Sequence, residues 1–216
     1  MTDTPKAGPA HRRWLVAMAK EPRCGAVKSR LARDIGAVAA TGFYRHSFAN
    51  VSARLAQDPR WHTLIAVSPD TAVQSPIWPR VFGLVPQGPG DLGVRMQRVF
   101  DRLPPGPAII IGTDVPEITN SHIARAFAAL GSNDAVIGPG EDGGYWLIGV
   151  RRSPNVPSVF LNVRLSSPDT LTDTLANLKG RKVAMMDTLG DVDDGRSYRK
   201  LGSIGSRVVR SRAPAK

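Results

Sequence analysis

The run Ala108-Ile-Ile-Ile111 constrains this chain more than any other stretch. It is short, continuously apolar and rich in β-branched residues, with Pro107 before it and Gly112 after it. That pattern reads as a strand buried on both faces, the kind found in the middle of a parallel sheet. Thr113 and Asp114 follow at once, Pro116 stops further pairing, and a helical pattern opens near Thr119. A carboxylate just beyond the carboxyl end of a central strand stands where open α/β sheets take their ligands. The competing reading is a turn in which Thr113 and Asp114 only bond their own backbone.

The chain has 216 residues, 42% of them hydrophobic and 22% charged, which suits one soluble domain with a substantial core. No apolar run reaches the length of a membrane span, and the first residues lack the apolar segment of a signal peptide. Cys24 is the only cysteine, which excludes an intramolecular disulfide and fits a reducing cytoplasm. The net charge of +11 is unevenly spread: residues 195–216 hold seven Lys/Arg and no acid. The body is close to neutral, so the basicity does not mark it as a nucleic-acid or membrane binder. The expected organisation is an N-terminal tail at 1–13, one domain at 14–202 and a solvated basic tail at 203–216.

Along the chain, strands are predicted at 14–19, 62–67, 80–85, 108–111, 133–138, 145–150, 160–165 and 182–186. Helical spacing covers 35–57, about 92–102, 119–130 and 168–178. Trp61 and Trp78 read as packing residues. The alternation of strands and helices predicts an α/β fold with a mostly parallel sheet and no second domain.

Four places carry candidate chemistry. The loop Lys20–Leu31 follows the first strand and holds Lys20, Arg23, Lys28 and Arg30, with Gly25 free to bring backbone close to an anion. It lacks the spacing of a P-loop. Asp114 is the second place. The third is Asp142-Gly-Gly144, a tight turn leading into Tyr145 and the next strand. The fourth is Asp191-Val-Asp193-Asp194, where neighbouring carboxylates repel unless a cation or a helix cap relieves them. Gly88, Gly90 and Gly93 match G-x-G-x-x-G. However, Pro86 and Gln87 separate them from the strand, and Pro89 lacks an N–H where pyrophosphate needs donors. Asp91 reads better as the N-cap of a helix that carries Arg95 near the strand ends. Zinc-spaced ligands, a G-x-S-x-G elbow and a Cys/His framework are all missing from the sequence.

Four segments in one order carry a resemblance: Ala19–Leu31, Gly90–Met96, Ile111–Pro116 and Asp142–Gly149. They resemble the bacterial family of GT-A-fold nucleotide-diphospho-sugar transferase-like proteins, some of which are described as arsenosugar-biosynthesis-type glycosyltransferases. The likeness spans about residues 14–194. It is similar, more distantly, to the molybdenum-cofactor and phospholactate nucleotidyltransferases. The resemblance implies a three-layer α/β/α sandwich, mainly parallel with one reversed strand. It implies that Lys28 and Arg30 meet phosphates, that Asp114 takes a metal, and that Asp142 lines the acceptor side. Asp191 and Asp193 resemble the family's closing Asp-Val-Asp element. Asp194-Gly195 and Leu165, which stands in place of a tryptophan, depart from it.

Together these observations predict a transferase that uses a nucleotide-activated donor, a small-molecule acceptor and Mg²⁺ or Mn²⁺. The expected catalytic residues are Asp114, Asp142 and Lys28. The expected metal ligands are Asp114, Asp191 and Asp193. The expected substrate contacts are Lys20, Gly25, Lys28, Arg30, Asp91, Arg95, Thr113, Gly143, Gly144 and Tyr145. Glycosyl transfer from a nucleotide sugar and nucleotidyl transfer from a triphosphate use the same residues, and the sequence leaves both open. A non-catalytic interaction protein with a basic tail is the competing class, and a dinucleotide-binding oxidoreductase ranks after it.

Overall fold

The computed structural model describes residues 12–201 except Gln57 and Pro154. The expected basic tail lies outside the described residues, as does nearly all of the expected N-terminal tail. Among the described residues, seven strands form one sheet. In chain order they are β1 (Trp14–Lys20), β2 (His62–Ser68), β3 (Gly83–Pro86), β4 (Ala108–Ile111), β5 (Ala135–Pro139), β6 (Tyr145–Val150) and β7 (Val183–Met185). Across the sheet the order is β3-β2-β1-β4-β6-β5-β7. Every neighbouring pair is parallel except those made by β6, which runs against both β4 and β5.

The helices are α1 (Ser29–Ile35), α2 (Ala37–Ala56), α3 (Leu92–Arg102), α4 (Asn120–Ala129) and α5 (Thr170–Asn177). Strand alternation sorts them into two layers. Leu15, Ala17, Ile109, Ile111 and Leu147 pack against Val51 and Leu55 of α2 and Ile123 and Phe127 of α4. Val16, Ile110, Ile137 and Ile148 pack on the other face against Met96, Val99 and Phe100 of α3, with α5 alongside. The result is the expected three-layer α/β/α sandwich with one reversed strand. β4 is buried at all four positions, as its unbroken apolar run requires. The edge strands β3 and β7 are short, which limits the ladder they offer to another chain.

Two expectations need correction. Residues 160–165 form turns, with no strand. Phe160 stacks on Phe100, and Asn162 and Ser166 take positive φ. Arg164 turns back to Asp169 and Asp173, so local ion pairs replace a ladder. The helix expected at 35–57 is present as α2, but the end of the expected loop 20–31 is helical: α1 begins at Ser29, so Arg30 lies on a helix, and Gly36, with φ of 85°, parts α1 from α2. Trp61 stacks on Phe127 and Trp78 meets Phe48 edge-on, both as packing residues.

Candidate active site

The strand order reverses between β1 and β4: from β1 the chain steps outward to β2 and β3, then returns to the far side. Open α/β sheets bind ligands in the crevice at such a switch point. The β1–α1 loop and the β4–α4 loop flank it here, and a cleft of about 730 Å³ opens over it. Because β6 is reversed, its first residue, Tyr145, stands at the same end as the last residues of β1 and β4.

Lys28 sits in the left-handed region at the start of α1, with φ of 50°. Its side chain is only 6% exposed, and its ammonium lies between two carboxylates: Asp114 Oδ2 at 2.9 Å and Asp193 Oδ1 at 2.5 Å. Burial works against the charge, but the two carboxylates outweigh it and hold the Lys28 pKa above its ordinary value. Arg30 Nη1 is 3.8 Å from the other oxygen of Asp193.

Asp114, Asp191 and Asp193 each bring a carboxylate oxygen within 4.8 Å of the others. Burial, then the charges of Asp193 and Asp114, push the Asp191 carboxyl up to about 7. Three partly buried oxygen donors facing one ammonium are an arrangement that a hard divalent cation fits. The local chain explains the grouping. Val192 is buried with Leu31 and Ala40, and its N–H donates to the Asp114 carbonyl at 3.3 Å. The residues on either side of it line the cleft. Asp194 does the capping instead: it accepts from the Ser197 N–H at 2.8 Å and opens the helical residues 195–201. The capping role thus falls to Asp194, while Asp191 and Asp193 face the cleft. Gly112 accommodates the site from below, since a Cβ there would lie 2.8 Å from Asp114 Oδ1.

The remaining predicted residues separate. Lys20, Arg95, Thr113, Asp142, Gly144 and Tyr145 line the cleft with Lys28 and Arg30, whereas Gly25, Asp91 and Gly143 do not. Asp91 caps α3, accepting from the Val94 N–H at 2.9 Å. Arg95 reaches back to the Gly90 carbonyl at 2.7 Å and the Ser68 hydroxyl at 3.3 Å. Gly143, with φ of 86°, packs its Cα against the backbone of Pro168, where a side chain has no room. Asp142 accepts from the Gly144 N–H at 2.9 Å, so it shapes its own turn while facing the cleft. The Tyr145 hydroxyl meets Thr174 Oγ1 at 3.4 Å, and burial pushes its pKa up to about 12.

Among the polar residues lining the cleft that sequence reasoning missed, Tyr44 and Gln87 are buried and bonded to the strand ends. Tyr44, on α2, accepts from the Lys20 N–H at 2.9 Å, donates to the Lys20 carbonyl at 3.0 Å, and meets Thr113 Oγ1 at 3.5 Å. It thereby ties the end of β1 to the end of β4. Its signal was a tyrosine hydroxyl among the buried positions of α2. Gln87 follows β3 and is buried; its signal was a lone polar residue between an apolar strand and a glycine run.

The arrangement is that of a nucleotide-diphospho-sugar transferase-type α/β protein. Residues 51–167 match a family model described as "Uncharacterized protein conserved in bacteria (DUF2064)", and the chain belongs to that family. No curated protein sequence matches it. Among solved structures, a protein from Desulfovibrio desulfuricans G20 described as a candidate nucleotide-diphospho-sugar transferase is 26% identical. It superposes with a TM-score of 0.80, covering 89% of this chain and 87% of that one. Rv0371c from Mycobacterium tuberculosis H37Rv, solved in complex with manganese, is 17% identical with a TM-score of 0.53, covering 89% and 98%. The CMP:2-keto-3-deoxy-manno-octonic acid synthetase, solved with CTP, is 13% identical with a TM-score of 0.55, covering 91% and 99%. The last two show the shared fold. The chain is therefore transferase-like. Among the described residues no helix is long and apolar enough to cross a membrane.

Proposed function

We propose that this chain is a divalent-cation-dependent cytoplasmic transferase that moves a glycosyl group from a nucleotide-diphospho-sugar to a small-molecule acceptor. The observation that carries this reading is the grouping of Asp114, Asp191 and Asp193 around buried Lys28 at the switch point. Those carboxylates would hold Mg²⁺ or Mn²⁺, which when bound neutralises diphosphate charge. Lys28 and Arg30 meet the phosphates and stabilise the negative charge that grows on the leaving group. Lys20, Arg95 and Thr113 border the donor, while Asp142, Gly144 and Tyr145 border the acceptor. Asp142 orients the acceptor hydroxyl or takes its proton. Gly25, Asp91 and Gly143 act by shaping the loops that carry these groups.

Nucleotidyl transfer is the second reading, supported by the synthetase neighbour solved with CTP. The leaving product separates the two: nucleoside diphosphate for glycosyl transfer, pyrophosphate for nucleotidyl transfer. The test is a thermal-shift screen of nucleotides and nucleotide sugars, with and without Mg²⁺ or Mn²⁺, on wild type and Asp114→Ala. A ligand at a hundred times its Kd adds roughly 2.7 kcal/mol of stability. The expected result is a metal-dependent shift with one nucleotide-sugar class that disappears in the variant. A shift with triphosphates alone moves the assignment to nucleotidyl transfer. A folded protein that responds to no nucleotide overturns both.

A further inference from the structure

Beyond the charged groups, the cleft holds one buried polar side chain whose bonding is half complete. Gln87 stands just after β3 and is 5% exposed. Its backbone is fully used: the N–H donates to the Val67 carbonyl at 3.0 Å, and the carbonyl accepts from Arg98 Nη1 at 2.7 Å. Its side-chain nitrogen donates to the Ala19 carbonyl at 3.2 Å and the Ala66 carbonyl at 2.8 Å. Both amide hydrogens are spent, and two carbonyl acceptors fix which end of the amide is nitrogen. The side-chain oxygen has no hydrogen-bond partner among the described residues. Nor is it sealed in the interior: among the described residues, the fully buried side-chain polar atoms without a hydrogen bond belong to Trp14, Asn120, Arg152 and Glu21, the last ion-paired with Arg23. Gln87 lines the cleft beside Lys20, Ser68 and Arg95, so the small surface it keeps presents an acceptor to whatever lies there.

An acceptor without a donor repels phosphate, so the anionic part of a ligand belongs elsewhere, over Lys28 and Arg30. Gln87 bridges the ends of β1 and β2, while the phosphate-facing groups lie at the β1–β4 gap. That offset is about one to two strand spacings of roughly 5 Å each, a span that suits a nucleoside. Every nucleobase carries an N–H on its edge, and a buried site that has already lost its water rewards such a donor.

We propose that Gln87 is the residue that reads the nucleobase of the donor, its Oε1 accepting a hydrogen bond from an N–H on the base edge. This inference rests on the nucleotide-donor reading above. It makes Gln87 a specificity residue, with no part in the transfer step.

The test uses the full chain with Mn²⁺ and calorimetric titration of UDP, GDP, CDP, ADP and pyrophosphate. The tightest nucleotide is then compared with its analogue methylated on the base N–H, for example N3-methyl-UDP or N1-methyl-GDP, and with its 2′-deoxy form. Each is measured on wild type and on Gln87→Met. The expected result is tenfold or greater loss on base methylation in wild type. That ratio should shrink towards one in Gln87→Met, with pyrophosphate affinity unchanged. The wild-type comparison stands even if the variant folds poorly, because Met leaves the Ala19 and Ala66 carbonyls without a donor. Nucleotide binding indifferent to base methylation overturns this inference alone. So does a loss confined to the 2′-deoxy form, which would give Oε1 to the ribose. Pyrophosphate binding with no nucleotide binding overturns the donor reading and this inference together.

Discussion

The two walls of the cleft are built on opposite principles. The wall formed by the β1–α1 loop, Asp114 and the 191–193 segment is crowded with charge, and its carboxylates meet across a single buried ammonium. The wall formed by the start of β6 and the 165–170 loop lines the cleft with hydroxyls and aliphatic side chains: Tyr145, Ser166, Thr170 and Leu165. Its ion pairs, Arg164 with Asp169 and Asp173, belong to the outer side of the loop. One wall crowds like charges together, which raises the Asp191 carboxyl, and the other pairs its polar groups locally. The difference teaches where binding energy is available: charge neutralisation on one side, shape and hydrogen bonding on the other.

Asp114→Ala tests the comparison most severely. It removes one carboxylate of the triad and one partner of Lys28, and transferase turnover should fall by at least about a hundredfold. The metal-dependent rise in melting temperature should vanish in the same variant. A variant that keeps both would show that the charged wall does not hold the cation. Lys28→Met should come next. Without ligand it should lose roughly 1–3 kcal/mol, because its carboxylate partners are 35% and 41% exposed and solvent screens part of the interaction. Mn²⁺ should restore more stability to this variant than to wild type, a difference that denaturant titration reads directly. Thr174→Val probes the satisfied wall, where loss of the bond to Tyr145 should cost about 0.5–1.5 kcal/mol and leave the metal response untouched.

The smallest effect is a titration. The hydrogen bonds from Arg164 hold the Asp173 carboxyl down to about 2. A carboxylate depressed by folding adds stability above its unfolded pKa, near 4, and that stability is lost as pH falls through about 2. Carboxyl NMR should show Asp173 titrating there in wild type and near its ordinary value in Arg164→Ala. An unchanged titration would mean that the clasp does not form in solution.

The charged wall was the more legible of the two, for a physical reason. Asp114 follows closely on the apolar run of β4, Lys28 lies in a loop dense in basic residues, and Asp191 and Asp193 lie in a dense acidic run, so each stands out from its surroundings. β4 was readable because a strand buried on both faces needs an unbroken apolar run. The satisfied wall was opaque. Phe160-Leu-Asn-Val-Arg-Leu165 alternates like a strand, yet the bonds that bend it run to Asp169 and Asp173, acids that on their own looked like a helix start. Tyr44 and Gln87 escaped notice for a related reason. Their bonds go to backbone carbonyls and amides, which carry no sequence signature.

The contact from Lys28 to Asp193 spans 165 residues, and that from Lys28 to Asp114 spans 86. β7 ends at Met185, before Asp191. A nascent chain that has just delivered β7 therefore owns every strand of its sheet but only one carboxylate of the triad. The acidic cluster is thus completed by a segment that follows the last strand of the sheet in the chain and folds back across the molecule to reach Lys28.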